Sequence, residues 1–347
     1  MFLYWYFFLL FCFITISPLK FNSNIKHIFN LTLLVFLMLF IGFRHKVGGD
    51  WDIYIQDFYT NIKFFNLLKF EYHRDYGFEL ISYFLYKIGL DIYFVNLTCA
   101  CIFVYCLYQF SKKRENIPFI FAISFPYLIT IVAMGYTRQS VAIAFILLSI
   151  NAIEDNKLFK YFLLTIFGII FHKSCVVIVP LIILSYSKFN LKTIILIILL
   201  FVVSYTILRP DLSRIYAGYL HEGIIYHSYG AYYRISINIL LCFFWLFFFK
   251  RINLSKYENK FIFFVLFSCI ILLFFVDKYS TFVDRVNIYL SIIQLMIVPK
   301  FFYILPRNKI IINSIILSMY GFMYFIWLNY SPFAHLWIPY NNLLFFK

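Results

Sequence analysis

Long uninterrupted apolar runs, such as Ile194 to Tyr205 and Phe261 to Val276, dictate the solvent in which this chain folds. Such a run has no polar face to turn toward water. With 64% of 347 residues hydrophobic and 13% charged, the chain carries far more apolar surface than a soluble core of that size can bury. Lipid must cover the remainder. A barrel would show alternating segments of about ten residues, whereas these runs are continuous, so the expected fold is all-α. It is a polytopic transmembrane bundle forming one integral membrane domain over 1–347. The seven cysteines are odd in number and lie inside apolar runs, which suggests neither a disulfide framework nor a metal cage.

About twelve spans can be laid along the chain: 1–16, 28–43, 92–110, 117–134, 139–153, 157–171, 174–187, 193–208, 235–249, 261–276, 286–304 and 310–328. Met1 to Ile16 reads as the first span rather than a secretion signal, because it has no basic leader and no small-residue cleavage pattern before Pro18. The segments around Phe171-His172-Lys173-Ser174 are each shorter than the roughly 20 residues that cross a bilayer. One long helix there would move Lys250, Arg251, Lys256 and Lys260 outside, against the charge rule. A helical hairpin with His172 at its tip, inside the bundle, is the expected arrangement.

With the amino terminus outside, the cytoplasmic side takes 16 of the 30 basic residues and four of the 15 acidic ones, a net of +12. The overall charge of +15 is therefore mostly a topogenic signal directed at the inner leaflet. No basic stripe with interleaved aromatics suggests nucleic acid. The outer side receives two long loops, approximately 44–91 and 209–234, and most of the acids.

Several outer residues carry possible chemistry. Arg44 to Tyr54 contains Gly48 and Gly49, which permit a tight turn and close backbone approach to a ligand, followed by Asp50 and Asp52. Asp75-Tyr76-Gly77-Phe78 leads into an amphipathic stretch, Ser82 to Ile88, too short to span. Arg138 and Gln139 open a helix at its outer end, where a guanidinium either anchors in headgroups or joins backbone N–H groups in holding phosphate. Arg285 stands similarly after Asp284, which is also its obvious ion-pair neighbour. The second loop is dense in tyrosine (Tyr216, Tyr219, Tyr226, Tyr229, Tyr232, Tyr233) with His221, Glu222 and His227, and suits either an aromatic belt or a carbohydrate groove. Asn329 to Lys347 reads as an outward tail lying along the interface.

These residues together resemble the ordered landmarks of the EpsG family, relatives of the Wzy-type O-antigen, capsular and exopolysaccharide polymerases. The landmarks are Arg44 with Gly48-Gly49-Asp50 and Tyr54; Asp75-x-Gly77-Phe78; Arg138-Gln139 with Ala142; Phe171-His172-x-Ser174; and Arg285 with Tyr289. The resemblance implies a GT-C-like glycosyltransferase of the bacterial cytoplasmic membrane. It would join undecaprenyl-diphosphate-linked repeat units on the outer face, without metal or other cofactor, and a chain-length regulator is a candidate partner.

That chemistry needs positive charge on the leaving diphosphate, a base near the acceptor hydroxyl, and exact positioning of both sugars. Arg44, Arg138 and Arg285 are the expected diphosphate clamp. Asp50 is the first candidate base and His172 the second, with Asp52, Tyr54, Gln139 and Tyr289 as further substrate contacts. Asp50 and Asp52 have the oxygens to hold Mg²⁺, but neighbouring loop carboxylates more often pair with groups such as Arg44 or Lys46, so no metal is expected. An O-antigen ligase is the nearest rival, sharing donor and outward site. A membrane acyltransferase should place its polar landmarks on the cytoplasmic side. A flippase should show internal repeats and charge through the full depth.

Overall fold

The computed structural model describes the chain apart from residues 18–21, 66–74, 115, 188–189, 192–194, 196–197, 200–201, 203–204, 207–227, 305–307 and 345–347. Among the described residues there is no strand, only an isolated bridge between Arg44 and Asn342. In chain order the helices are α1 (Phe2–Ile16), α2 (Ser23–Gly42), α3 (Trp51–Gln56), α4 (Tyr76–Lys87), α5 (Ile92–Lys113), α6 (Ile117–Ser124), α7 (Thr137–Glu154) and α8 (Leu158–Phe171). They continue with α9 (Val179–Tyr186), α10 (Ala231–Phe248), α11 (Lys256–Leu273), α12 (Val276–Leu290), α13 (Ile292–Ile297) and α14 (Lys309–Tyr330). Every expected span lies on helix except 193–208, which falls mostly outside the described residues.

Four stretches are long and apolar enough to cross a membrane by themselves: Ile92–Lys113, Ala231–Phe248, Val276–Phe301 and Lys309–Tyr330. Others, including Phe2–Ile16 and Leu158–Phe171, are apolar but shorter. Large side chains such as Phe2, Phe13, Phe247, Phe274 and Phe322 stand exposed on the outside of the bundle. A water-facing surface of that kind would aggregate, whereas hydrocarbon solvates it.

Local chemistry sets several helix ends. Asp91 caps α5 by accepting from the Tyr93 backbone N–H, and Lys112 and Lys113 sit in its last turn, where the helix dipole favours cations. Ser255 and Glu258 form a reciprocal capping box at the start of α11. Interior contacts are close where side chains are small. A methyl group on Gly42 would lie 2.6 Å from the Leu97 backbone, so α2 and α5 meet backbone to backbone.

The bundle has two chemically distinct ends, about 24 Å apart along α7 at 1.5 Å per residue. At one, Arg114 donates to Glu154 at 2.6 Å and lies 3.4 Å from Glu258, while Lys113 pairs with Asp155 at 2.5 Å. At the other, Arg138 opens α7. The helical hairpin is present: α8 ends at Phe171, His172 is extended (φ −158°, ψ 116°), and a 3-10 turn (Lys173–Ile178) leads into α9. The chain then returns to the Glu154 end, where Ile182 and Ser185 pack around the same small cavity as Ile150, Glu154 and Glu258.

The carboxyl-terminal segment differs from expectation. Rather than lying along the interface, residues 331–344 fold back into the bundle. Trp337 is buried and donates its indole N–H to the Thr130 carbonyl at 2.8 Å, and Tyr340 donates to the Phe40 carbonyl at 2.6 Å. Hydropathy registers the tryptophan as interfacial; what buries it is a carbonyl and two glycines on distant segments. Thr130 lies in the π-helical stretch Phe125–Ala133 that continues α6, beginning beside Pro126, whose nitrogen has no hydrogen to donate.

Candidate active site at the Arg138 end

Five segments meet at this end: the turn before α3 with α3 itself, the start of α4, the start of α7, the hairpin tip, and the middle of α12. Asp50 immediately precedes α3, and Asp50, Tyr54 and Asp57 fall on one face at i, i+4 and i+7. Tyr54 lies beside both the Asp50 carboxyl and the Arg138 backbone, bringing α3 up to the amino terminus of α7. Burial pushes the Asp50 carboxyl above the usual carboxylate range, against the opposing pull of Arg285, Arg138 and His172. Asp52 stands exposed, outside this constellation.

Arg138 is the hub. Its Nη2 lies 2.8 Å from Asp57 Oδ2 and its Nη1 3.6 Å from Asp75 Oδ2. The guanidinium carbon is 5.1 Å from the centre of the Tyr54 ring and 5.0 Å from that of Phe78, two rings that themselves pack 5.3 Å apart, so the cation sits against one side of an aromatic pair. Its Nε hydrogen is buried and has no partner among the described residues.

His172 reaches the same carboxylate from the hairpin tip. Its Nδ1 is 3.0 Å from Asp75 Oδ2, and the Lys173 backbone N–H donates to Asp75 Oδ1 at 3.3 Å. Burial raises the Asp75 carboxyl, but the imidazole, these hydrogen bonds and Arg138 outweigh it and hold the group below its ordinary value. An imidazole donating from Nδ1 to a carboxylate presents Nε2 as its basic nitrogen. Gly77 makes the approach of α4 possible: a methyl group there would sit 2.8 Å from the Phe171 ring.

Arg285 lies over the face of Tyr136, its guanidinium carbon 3.7 Å from the ring centre. Gln139 donates to the Arg285 carbonyl at 3.0 Å and accepts from its Nη1 at 3.4 Å. Tyr289 exchanges a hydrogen bond with Ser174 at 3.0 Å and lies beside Gln139, so these side chains set α12 against α7 and the hairpin tip. Arg285 was expected at a helix amino terminus, but α12 begins at Val276. The polar residues between Asp277 and Asp284 depress hydropathy, and the helix kinks among them at Tyr279 (φ −135°, ψ 43°), so Arg285 stands beyond that break rather than at a helix start.

Arg44 does not belong to the clamp. It is 0% exposed, and its guanidinium donates to the carbonyls of Val47 (3.2 Å) and Ile41 (2.8 Å), to Asn96 Oδ1 (3.3 Å) and to Thr137 Oγ1 (2.8 Å). The cation is spent within the protein, fastening the glycine turn to α5 and α7. The turn glycines serve a similar end. Gly48 (φ 109°) has room for no side chain because its Cβ would meet the Met134 carbonyl oxygen at 2.2 Å, so the close approach is to the protein's own backbone.

Sequence reasoning assigned no role to Asp57, Asp75 or Tyr136. The i, i+4, i+7 spacing from Asp50 was the signal for Asp57; nothing local announces that Asp75 meets His172 across 97 positions. Asp284 accepts a bidentate bond from Arg234 at 2.7 and 2.8 Å, an ion pair beside Tyr127 in which Arg234 had been given no part. Tyr216, Tyr219, His221, Glu222, Tyr226 and His227 lie outside the described residues, and of the three described loop tyrosines Tyr232 bonds to Asp277. A cavity of about 260 Å³ lined by Leu184, Ser187, Trp245 and Lys260 sits at the opposite end and pairs no acid with a base.

An apolar helical bundle that gathers arginines, carboxylates and a histidine beside aromatic rings at one end defines a membrane protein with a polar cluster at that end. The chain belongs to the EpsG family, whose model matches residues 27–342, nearly its whole length. That family is associated with polysaccharide polymerase-like proteins, and this chain is a membrane protein of polysaccharide biosynthesis. No curated protein and no solved structure matches it.

Proposed function

We propose that the protein is a polysaccharide polymerase of GT-C-like character, joining undecaprenyl-diphosphate-linked oligosaccharide repeat units on the outer face of the cytoplasmic membrane. The observation that carries this reading is the convergence of Asp50, Arg138, His172 with Asp75, and Arg285 from five segments at one end of the bundle. Arg138 and Arg285, each laid on aromatic rings, grip the diphosphate, and the half-exposed Asp57 holds Arg138 in place until phosphate oxygens replace it. Asp50 takes the proton from the acceptor hydroxyl as that oxygen bonds to the anomeric carbon. The bond from that carbon to the phosphate oxygen breaks, and the diphosphate leaves with the electron pair. His172 is the second candidate for the base, oriented by Asp75. Gln139, Tyr289 and Arg44 position these groups, and Tyr54 fixes Asp50.

The family membership and the aromatic walls support a glycan-lipid substrate, and the basic residues sorted to the opposite end support twelve spans with this site outward. Purified protein given a single lipid-linked repeat unit is expected to make a ladder from that substrate alone. A product formed only when a second, different acceptor is added would identify a ligase instead. Orientation is tested separately. Cysteine at the exposed Asp52 position should react with a membrane-impermeant maleimide on intact cells, and cysteine at Lys157 only after permeabilisation; the reverse pattern would place the site in the cytoplasm.

A further inference from the structure

Three backbone segments interlock beneath the site: the turn 44–50, the turn 134–136 ahead of Arg138, and the folded-back carboxyl-terminal segment. Gly48 N–H donates to the Leu336 carbonyl at 2.9 Å, His45 N–H to the Asn341 carbonyl at 2.9 Å, and Leu343 N–H to the Phe43 carbonyl at 3.0 Å. Trp337 fills the space between them. Its carbonyl accepts the Tyr4 hydroxyl at 2.9 Å, and Trp327 meets its ring edge-on at 5.2 Å. A Cβ on Gly135 would lie 2.4 Å from its Cζ2, and one on Gly49 3.7 Å from its Cη2. One indole thus lies near the residue before Asp50 and against the turn three residues before Arg138.

We propose that Trp337 is a positioning residue for the reaction, locking the turn that carries Asp50 against the turn that carries Arg138 and so fixing the carboxyl relative to the guanidinium. The carboxyl-terminal segment is then part of the active-site frame, though it contributes no group to the substrate. A tail that merely adds packing would stabilise the bundle as a whole and leave the distance between Asp50 and Arg138 unaffected.

The test is a size-complementation cycle, and its activity arm rests on the polymerase reading above. Gly135→Ala, which forces a methyl group into the indole, is expected to slow ladder formation about tenfold or more, because sub-ångström misplacement of reacting groups is costly. Trp337→Phe vacates the space, so the Gly135→Ala/Trp337→Phe double variant should polymerise faster than Gly135→Ala. A double variant no faster than Gly135→Ala, or Gly135→Ala at the wild-type rate, overturns the proposal. Hydrogen exchange on detergent-purified protein decides independently of activity. Trp337→Phe should speed exchange in both 45–51 and 133–139, and acceleration confined to 331–344 overturns the proposal. If wild-type protein makes no ladder, the polymerase reading fails while the exchange arm still decides the role of Trp337.

Discussion

Arg138→Lys is expected to reduce polymer formation about a hundredfold or more while leaving the protein folded and in the membrane. The guanidinium spans two carboxylates on separate segments, Asp57 at 2.8 Å and Asp75 at 3.6 Å, and lies against the packed Tyr54 and Phe78 rings. A lysine ammonium is one point charge. It keeps the charge that the buried Asp75 requires, so the fold survives, but it cannot present two parallel N–H groups to a diphosphate. Arg138→Ala removes the charge as well, leaves Asp75 uncompensated, and should lower the amount of folded protein. Polymer ladders and membrane protein levels measured together separate the two effects. Normal chain lengths from the lysine variant would count against the clamp.

Asp50→Asn should slow the reaction by about two to four orders of magnitude, the range expected when a positioned base is removed. The amide is nearly isosteric with the carboxylate, so the loss would report chemistry rather than architecture. pH supplies the sign check. Burial raises this carboxyl, so a larger share of it carries a proton at a given pH than an ordinary aspartate would. As the base, it must be ionised. Activity should therefore climb as pH rises through a window above the usual carboxylate range, and that acid limb should vanish in Asp50→Asn. Its contribution to stability runs the other way, falling as pH rises through the same window, because the folded form binds the proton more tightly. Asp75 is depressed, so the stability it adds is lost on acidification, as pH falls through its lowered value. Should Asp50→Asn polymerise at the wild-type rate while His172→Asn does not, the base is His172.

Hydropathy made the helices legible because each span reports its own solvent. The break at His172 was legible for the same reason: two short apolar arms flanking a basic pair satisfy the charge rule only as a hairpin. Side-chain partners were less visible. Arg44 and Arg138 look alike in sequence, each a lone arginine near the end of an apolar run. One is wholly buried by four protein acceptors; the other faces Asp57 and Asp75 beside two rings. What separates them is the position of Asn96, Thr137 and the Ile41 carbonyl, which no local pattern encodes. Trp337 was misplaced for a related reason. An aromatic near a chain end suits a membrane interface, and only the tertiary approach of Gly135 and Thr130 shows that it is buried. The pairing of Asp284 with Arg234 rests on two helices lying side by side, whereas sequence adjacency pointed to Arg285.

The central claim is that one pocket at the Arg138 end grips a lipid diphosphate. Its most direct measurement is binding of undecaprenyl diphosphate and undecaprenyl monophosphate to purified wild-type and Arg285→Lys protein, for example by native mass spectrometry. Wild-type protein should prefer the diphosphate about tenfold or more, as expected when an added phosphate gains charge-assisted hydrogen bonds worth roughly 1.5–3 kcal/mol. The lysine variant should lose most of that preference. Equal binding of the two lipids by wild-type protein, or a preference untouched by the substitution, would contradict the account.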